Sequence, residues 1–389
     1  MQRTRAGLLA LLAVATLAVS ACGAAPAASP SAEPMPSSPS PTTPPPPPTA
    51  AEWAADRISA MSLEEKAASL LMLHAPGIEA APLRALAEQG IGGLILMGDN
   101  IPDDPAALAA LTAAVQPDPE ARTLIAVDEE GGDVQRLPWD PAPGASELRD
   151  GPAAPVTAAF AQRGDVLAAA GIDVNFGIVA DVTDDPDSFI FDRVLGTDAA
   201  SAAPLVAAAV SGEHGRAAST LKHFPGHGQA PGDSHESLPT SPLDLAQWRS
   251  IAAPPFQAGI DAGAELVMTG HLVFPAVDAA PASLSTEWHR ILREELGFSG
   301  IVVTDDMLML QHNGLADYQD PNENAVRAVA SGSDLLLYVL PADPAEFGIS
   351  VDGLATAIAD AVRAGRIPEA RLDEAALHVL TLRRALVEG

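Results

Sequence analysis

Short apolar runs of the length of a β-strand recur along the chain, and amphipathic stretches separate them. The stretches between the runs are rich in Ala, Leu and Glu with helical spacing, as in residues 104–115 and 199–214. Strands that alternate with helices indicate a parallel sheet. The eight predicted strands are residues 69–73, 91–97, 123–127, 174–179, 218–221, 266–269, 301–304 and 335–340.

Eight strand-and-helix units within residues 51–389 favour one α/β domain over two separate domains. The fold expected from this count is a single (β/α)₈ barrel of the TIM type. An open, doubly wound parallel sheet is the alternative.

Ionisable residues follow several of the predicted strands. In a barrel the carboxyl ends of all strands meet at one mouth, where active sites of this fold lie. Aspartates at these positions could instead cap the following helices, but Lys and His are poor caps. The residues at these strand ends are Asp128, Lys222, His223, His271, Asp305 and Asp306.

The N-terminus has the features of an export signal in residues 1–21. Arg3 and Arg5 precede an apolar stretch that ends at Cys22 and is shorter than the ~20 residues of a membrane-spanning helix. The preceding residues 19–21 (Val-Ser-Ala) resemble the lipobox of bacterial lipoproteins, which implies that Cys22 is lipidated. An ordinary signal peptide with an incidental cysteine is the alternative.

Residues 22–50 are predicted to form a lipid-anchored tether, because 11 prolines fall within residues 23–50 and Ser, Thr and Ala fill most other positions. Such a segment is typical of polyproline-like linkers and not of a folded domain. The folded domain is therefore expected over residues 51–389. The protein is expected at the extracytoplasmic face of the cell membrane, held there by the lipid.

Composition narrows the range of partners. Lys plus Arg number 21 and Asp plus Glu number 51, which gives a formal net charge of -30. Such an acidic surface repels phosphates, so nucleic acid is not an expected partner. A single cysteine leaves no intramolecular disulfide, Cys-based zinc site or CxxC redox centre to expect. A content of 48% hydrophobic residues is ample for a large core and excludes global disorder. We expect a monomer.

Three of the nine histidines lie within thirteen positions, in the segments 222–228 and 233–235. Lys222 is one of only two lysines in a chain that otherwise carries its positive charge on Arg. A lysine at a strand end predicts a compact ammonium group that donates hydrogen bonds in a site. A chance surface lysine is the alternative.

His223 and His227 have the i, i+4 spacing of a helical metal pair. Pro225 and Gly226 lie between them and disfavour a helix, so no metal site is expected. We favour a glycine-rich loop in which the imidazoles and Lys222 face a small polar ligand.

Two pairs of residues are candidates for catalysis. Asp233 and His235 are two positions apart, so both side chains project to one side of an extended loop. A carboxylate there fixes the tautomer of the imidazole and favours its protonated form, which makes His235 a candidate general acid/base. A purely structural pair is the alternative. Asp305 and Asp306 are adjacent and would face opposite sides of a strand, and spacing does not choose between them.

Residues 181–187 form a further acidic stretch, Asp-Val-Thr-Asp-Asp-Pro-Asp. The stretch lacks the alternating ligand positions and the Gly of an EF-hand loop. We interpret it as a solvated acidic loop and not as a calcium site.

Five motifs follow one another across residues 55–389. They are VDEEGGDVQRL (127–137), LKHFPGHG (221–228), DSHESLP (233–239), PASLS (281–285) and LREELGFSGIVVTDDMLM (292–309). Together, and in this order, they resemble the β-N-acetylhexosaminidases of glycoside hydrolase family 3. The resemblance implies a (β/α)₈ barrel that needs no cofactor.

The resemblance also implies roles for individual residues. Asp305 would be the nucleophile that forms a covalent glycosyl-enzyme, and His235, polarised by Asp233, would be the acid/base. Two departures from the family pattern are Asp133, where Arg is usual, and residues 194–195 (Val-Leu), where Ser-Phe or similar is usual. The residues implied to surround the hydroxyls of N-acetylglucosamine are Asp128, Arg136, Arg193, Lys222 and His223.

The activity implied is that of a retaining exo-β-N-acetylglucosaminidase acting on a small glycan or muropeptide from peptidoglycan. Only 4% of the residues are aromatic, which disfavours an extended stacking groove for long polysaccharide. The rate would be bell-shaped in pH, with Asp305 ionised and His235 protonated. The alternatives are a phosphorylase, in which phosphate replaces water, and a non-catalytic sugar-binding lipoprotein.

Overall fold

The computed structural model describes residues 48–388. The expected signal peptide, Cys22 and residues 22–47 of the expected tether lie outside the described residues. Helix α1 (Ala50–Ala60) starts one residue before the boundary expected from composition. It begins in a capping box, because the Thr49 hydroxyl accepts the N–H of Glu52 (3.3 Å) while the Glu52 carboxylate accepts the N–H of Thr49 (2.8 Å).

Eight parallel strands form one sheet in the order β7-β6-β5-β4-β3-β2-β1-β8. Their residues are buried throughout, as expected for a parallel sheet covered by helices. The strands are β1 Leu71–Leu73, β2 Gly93–Leu96, β3 Leu124–Val127, β4 Val174–Val179, β5 Ala218–Phe224, β6 Leu266–Thr269, β7 Ile301–Thr304 and β8 Leu336–Tyr338.

The two ends of the sheet meet beside β7. Val303 bridges Leu335, and the N–H of Thr304 donates to the carbonyl of Leu335 (3.0 Å). The nearly closed (β/α)₈ barrel of the TIM type is confirmed, and the open doubly wound sheet is wrong.

Helices surround the barrel, and helix α6 packs against α7, which in turn packs against α9. Among residues 48–388 we find no helix with both the length and the apolar character needed to cross a bilayer. After α1, the α-helices are α2 Leu63–Ala68, α3 Ala80–Ala87, α4 Pro105–Ala114, α5 Ala145–Leu148, α6 Ala153–Ala169, α7 Ala199–Glu213, α8 Leu245–Ile251, α9 Ala253–Asp261, α10 Thr286–Arg290, α11 Leu308–His312, α12 Pro321–Ser331, α13 Val351–Arg363 and α14 Glu369–Glu388.

The eight predicted strands all coincide with observed strands, and three match their bounds. The largest difference is in β5, which continues to Phe224 instead of ending at residue 221. Lys222 and His223 therefore lie within the strand and not after it. Burial explains the difference, since Lys222 is 2% exposed and His223 is 6% exposed.

An aromatic cluster holds the end of β5 in place. The ring of Phe224 meets those of Trp248, Phe256 and Trp288 edge to face, with centroids 5.4–5.9 Å apart. The indole Nε1 of Trp248 donates to the carbonyl of Pro225 (2.7 Å). The strand end that carries Lys222 is thus fixed by packing on its outer side.

Glu213, at the end of α7, is a fully buried carboxyl group behind β4. Its Oε1 accepts a hydrogen bond from Nδ2 of Asn175 (2.5 Å), and its Oε2 has no hydrogen-bond partner. Burial is the main cause that raises the pKa of Glu213 to about 8. The group is therefore uncharged in the folded protein at neutral pH.

We expect Glu213→Gln to change how stability depends on pH. Between pH 4.5, the ordinary pKa, and about 8, the folded wild type holds a proton that the unfolded chain has released, so its free energy of unfolding falls as pH rises. The variant has no such proton. From pH 5 to pH 9 the free energy of unfolding of the variant should therefore rise, relative to that of the wild type, by roughly a few kcal/mol.

Urea unfolding at pH 5, 7 and 9 measures this difference, with the exposed Glu147→Gln as the control. Parallel curves for the Glu213 variant and the wild type would show that the carboxyl group does not titrate in this range.

Candidate active site

A cavity of about 450 Å³ opens at the carboxyl ends of the barrel strands. Its volume suits a small ligand and not a long polymer. All the catalytic and substrate-binding residues expected from the sequence line it except Asp233, which is bonded to one of them. The expected residues in its wall are Asp128, Arg136, Arg193, Lys222, His223, His235 and Asp305.

Asp305 follows the last residue of β7, and hydrogen bonds to its main chain and to its side chain hold it in place. Its N–H donates to the carbonyl of Thr269 (2.9 Å), and its Oδ1 accepts the N–H of Asp306 (2.8 Å). Burial opposes ionisation, but the imidazoles of His223 and His271 outweigh it and hold the pKa of Asp305 below its usual value. The carboxylate is therefore charged at neutral pH, as a nucleophile must be.

Asp306 also borders the cavity, contrary to the expectation that only one of the two aspartates would. The alternation of strand side chains does not apply here, because β7 ends at Thr304. Its Oδ1 accepts the N–H groups of Leu308 (3.1 Å) and Val339 (2.9 Å), and burial raises its pKa to about 7. This carboxyl group ties the end of β7 to the segment after β8.

Lys222 and Arg193 are held by carboxylates. The Nζ of Lys222 lies 2.7 Å from Oδ1 of Asp128 and 2.6 Å from Oε1 of Glu130. Arg193 binds Glu130 through two N–H groups at 2.7 Å and 2.9 Å. Burial opposes the charge on Glu130, yet Lys222 and Arg193 lower its pKa to about 2. The alternative of a chance surface lysine is wrong.

Sequence reasoning did not single out Glu130, although it stands in the motif at 127–137. Nor did it single out Glu129, whose Oε2 accepts the N–H groups of Arg136 (2.8 Å) and Leu137 (2.9 Å). Burial raises the pKa of Glu129 to about 7. The signal in the sequence is the run of three consecutive acids at 128–130. Their side chains alternate in direction, so Asp128 and Glu130 face Lys222 while Glu129 holds the following loop.

The buried carboxyl group of Asp181 positions His223 and His227. Its Oδ2 lies 2.8 Å from Nδ1 of His223 and accepts the N–H of the same residue (3.1 Å), while its Oδ1 accepts the N–H of His227 (2.5 Å). It is 1% exposed, and burial raises its pKa to about 6. The expectation of a solvated acidic loop is therefore wrong for Asp181, whereas residues 184–187 are exposed.

The segment after β5 has the glycine-rich turns expected from its sequence. Gly226 has φ +131°, and a Cβ at Gly228 would collide with the carbonyl oxygen of Val182. His223 lies in β5 and His227 begins a 3₁₀ turn, so the two do not share a helix. The i, i+4 spacing thus places one histidine at a strand end and the other in a turn, with their ring centroids 5.7 Å apart.

Asp233 and His235 form the expected pair in the same segment. The Nδ1 of His235 lies 2.7 Å from Oδ1 of Asp233, which also accepts the N–H of His235 (2.9 Å). Burial is the largest single cause and opposes ionisation, but the bonds to His235 and the charge of its imidazole together lower the pKa of Asp233. With Nδ1 engaged, Nε2 is the nitrogen left for proton transfer. The His235 side chain is 62% exposed, so it reaches solvent and the cavity together.

The three residues at the two departures from the family pattern also have clear positions. Asp133 borders the cavity beside Arg136, whereas Val194 and Leu195 are buried in the core. The wall further contains Phe189, an aromatic residue that sequence reasoning did not single out.

An ionised aspartate and an Asp–His pair share the mouth of a (β/α)₈ barrel, surrounded by cations that carboxylates hold. This arrangement supplies the nucleophile and the proton donor that a retaining glycoside hydrolase needs. Residues 62–382 match the glycosyl hydrolase family 3 N terminal domain. The chain belongs to this family.

Named relatives agree with this assignment. A beta-hexosaminidase of Methylobacillus flagellatus is 32% identical over 295 residues, which cover 71% of this chain and 82% of the relative. A family 3 β-N-acetylglucosaminidase from Paenibacillus sp. str. FPU-7 is 34% identical with a TM-score of 0.77, and the match covers 85% of this chain but 64% of that protein. The β-N-acetylhexosaminidase of Beutenbergia cavernae is 30% identical with a TM-score of 0.72, covering 85% and 99%.

Proposed function

We propose that this protein is a retaining exo-β-N-acetylglucosaminidase, which removes a terminal non-reducing N-acetyl-β-glucosamine. The observation that carries the proposal is that Asp305, with its pKa held low, borders the same cavity as His235, which is bonded to Asp233. A charged nucleophile and a separate proton donor are the two groups that retaining hydrolysis needs. The relatives named hexosaminidases support the choice of sugar.

In the first step Asp305 attacks the anomeric carbon and forms an ester bond to the sugar. The bond from that carbon to the leaving oxygen breaks, and Nε2 of His235 gives its proton to this oxygen. In the second step water attacks the same carbon, His235 takes one proton from the water, and the carboxylate of Asp305 leaves. Two inversions at one carbon retain its configuration. Asp233 stabilises the imidazolium at both ends of the cycle.

The polar residues around the cavity are proposed to bind the sugar hydroxyls. Lys222 has three N–H donors, of which Asp128 and Glu130 engage two, so one remains for a hydroxyl. Arg136 lies 4.0 Å from Asp128 and shares that carboxylate. Charge-assisted bonds of this kind are stronger than neutral ones and do not need aromatic stacking.

The location and source of the substrate belong to the same proposal. The apolar stretch that ends at Cys22 and the proline-rich residues 22–50 support a lipoprotein at the extracytoplasmic face of the cell membrane, which we expect to be a monomer. Muropeptide fragments of peptidoglycan would reach the site there. Phosphorolysis is the second candidate, because an imidazole at His235 does not repel an incoming phosphate as a second carboxylate would.

Product analysis tests the proposed activity. The purified protein is incubated with a chromogenic N-acetyl-β-glucosaminide, N-acetylglucosamine oligomers and defined muropeptides, with and without phosphate, and products are followed by NMR. We expect release of N-acetylglucosamine from the non-reducing end as the β-anomer. Formation of the sugar 1-phosphate would establish the phosphorylase instead. Binding without any turnover would overturn the enzymatic proposal in favour of a sugar-binding lipoprotein.

A further inference from the structure

Phe189 lies in the loop after β4 and is one of the few large apolar side chains exposed on the described part of the chain, with 39% of its surface accessible. Its ring borders two cavities. One is the catalytic cavity, and the other, of about 460 Å³, lies between the loop 183–188 and the segment 228–233. The ring therefore separates the place of bond cleavage from a second space large enough for another small group.

Three side chains of the site fix this ring. Its centroid is 5.8 Å from that of His235 in an edge-to-face arrangement and 5.3 Å from that of His227. The guanidinium of Arg193 lies over the ring, with Cζ 5.5 Å from the centroid, within the range of a cation–π contact. Phe189 thus contacts both Arg193, which is proposed to bind the sugar, and His235, the proposed proton donor.

The position of the proton donor determines which part of a substrate meets Phe189. The leaving oxygen must come within hydrogen-bond distance of Nε2 of His235. The first ring of the leaving group is attached to that oxygen, so it lies on the side of the cavity that Phe189 occupies. An aromatic ring that is exposed and already held in place offers a flat apolar surface to a sugar ring, and little side-chain entropy is lost when the sugar binds.

We propose that Phe189 binds the leaving group: the first sugar ring beyond the cleaved bond packs its C–H face on the exposed part of the Phe189 ring and extends into the second cavity. This inference rests on the proposed function, since it takes His235 as the proton donor. It gives the enzyme a preference for leaving groups that are themselves pyranose rings.

The test compares two substrates whose leaving oxygens both need a proton, methyl N-acetyl-β-glucosaminide and the N-acetylglucosamine disaccharide. Only the disaccharide has a ring to pack on Phe189. We expect Phe189→Ala to lower kcat/KM for the disaccharide by about tenfold and to leave that for the methyl glycoside within about threefold. Phe189→Tyr keeps the ring and should restore the disaccharide rate. Leu315→Ala removes another exposed apolar side chain, 47% accessible, as the control.

Each other outcome overturns the inference. Equal losses on both substrates would show that Phe189 only positions His235, and unchanged rates would show that the ring meets no leaving group. A wild-type protein that cleaves neither substrate would refute the proposed function itself, so the two failures are distinguishable.

Discussion

Asp305→Asn should reduce turnover by roughly 10⁴-fold or more while the protein stays folded and still binds N-acetylglucosamine. The amide has nearly the shape of the carboxylate, and its oxygen can still accept the N–H of Asp306. It cannot form the glycosyl ester, so only the nucleophilic step is lost. Hydrolysis of a chromogenic N-acetyl-β-glucosaminide measures the rate, and calorimetric titration with N-acetylglucosamine measures binding.

Asp306→Asn is the matched control, one position along the chain. The asparagine oxygen can keep the hydrogen bonds from Leu308 and Val339, so we expect a change in rate of less than about tenfold. A slow-reacting fluorinated N-acetylglucosaminyl donor should leave a covalent sugar on the peptide that contains Asp305, which mass spectrometry detects. Loss of activity in the Asp306 variant alone, or a label on that residue, would assign the nucleophile to Asp306.

The acid side of the pH profile follows from the same residue. The pKa of Asp305 lies below its usual value of 3.8 despite burial, because the neighbouring imidazoles favour the carboxylate. As the pH falls, the nucleophile therefore keeps its charge until below about pH 4. Loss of activity at a higher pH has to come from another group. The buried carboxyl groups of Asp306 and Asp181, with pKa values of about 7 and about 6, take up protons before Asp305 does.

The barrel could be predicted because each of its strands is buried on both faces and reads as an apolar run. The same rule explains where the prediction of strand bounds was wrong. Lys222 and His223 interrupt the apolar run of β5, but Asp128, Glu130 and Asp181 compensate their burial. Such pairing depends on residues 42 to 94 positions away, which local sequence does not contain.

Of the site, motif resemblance gave the residues expected to react with the sugar or bind it, whereas the supporting roles of Glu129, Glu130 and Asp181 came only from three-dimensional contacts. Asp181 was predicted to belong to a solvated loop because the acidic stretch 181–187 lacks the pattern of an EF-hand. Residues 184–187 are indeed exposed, yet the side chain of Asp181 is buried and bonded to two histidines. Phe189 carried no motif at all. Its position between His235 and Arg193 depends on the path of the loop after β4, which no spacing rule determines.

His235→Ala should also reduce turnover strongly, by an amount that depends on the leaving group. For the N-acetylglucosamine disaccharide, whose leaving oxygen needs a proton, we expect a loss of about 10²–10⁴-fold in kcat/KM. A substrate with a nitrophenolate leaving group departs without a proton, so its first step should be nearly unaffected. The alkaline limb of the pH profile should disappear in the variant, because the proton whose loss it reports is gone.

The second step offers an independent measurement on the same variant. Without His235 no base activates water, so the glycosyl ester on Asp305 should accumulate with a nitrophenyl substrate. Azide is already a nucleophile and needs no base; it should restore turnover and yield the β-glycosyl azide. Asp233→Asn should give a smaller loss in the same direction, since the imidazolium keeps its place but loses its charged partner.

His214→Ala, at an exposed histidine at the end of α7, controls for the loss of an imidazole elsewhere on the chain. It should change neither the pH profile nor the response to azide. The contrary result would be that His235→Ala slows all substrates by the same factor, keeps the alkaline limb of the pH profile and is not rescued by azide. The proton would then have to come from a different group. The remaining imidazoles at the mouth, His223, His227 and His271, are buried, and burial lowers their pKa values, which disfavours the imidazolium form that a proton donor needs. The exposed position of His235 is therefore what the proposed mechanism requires.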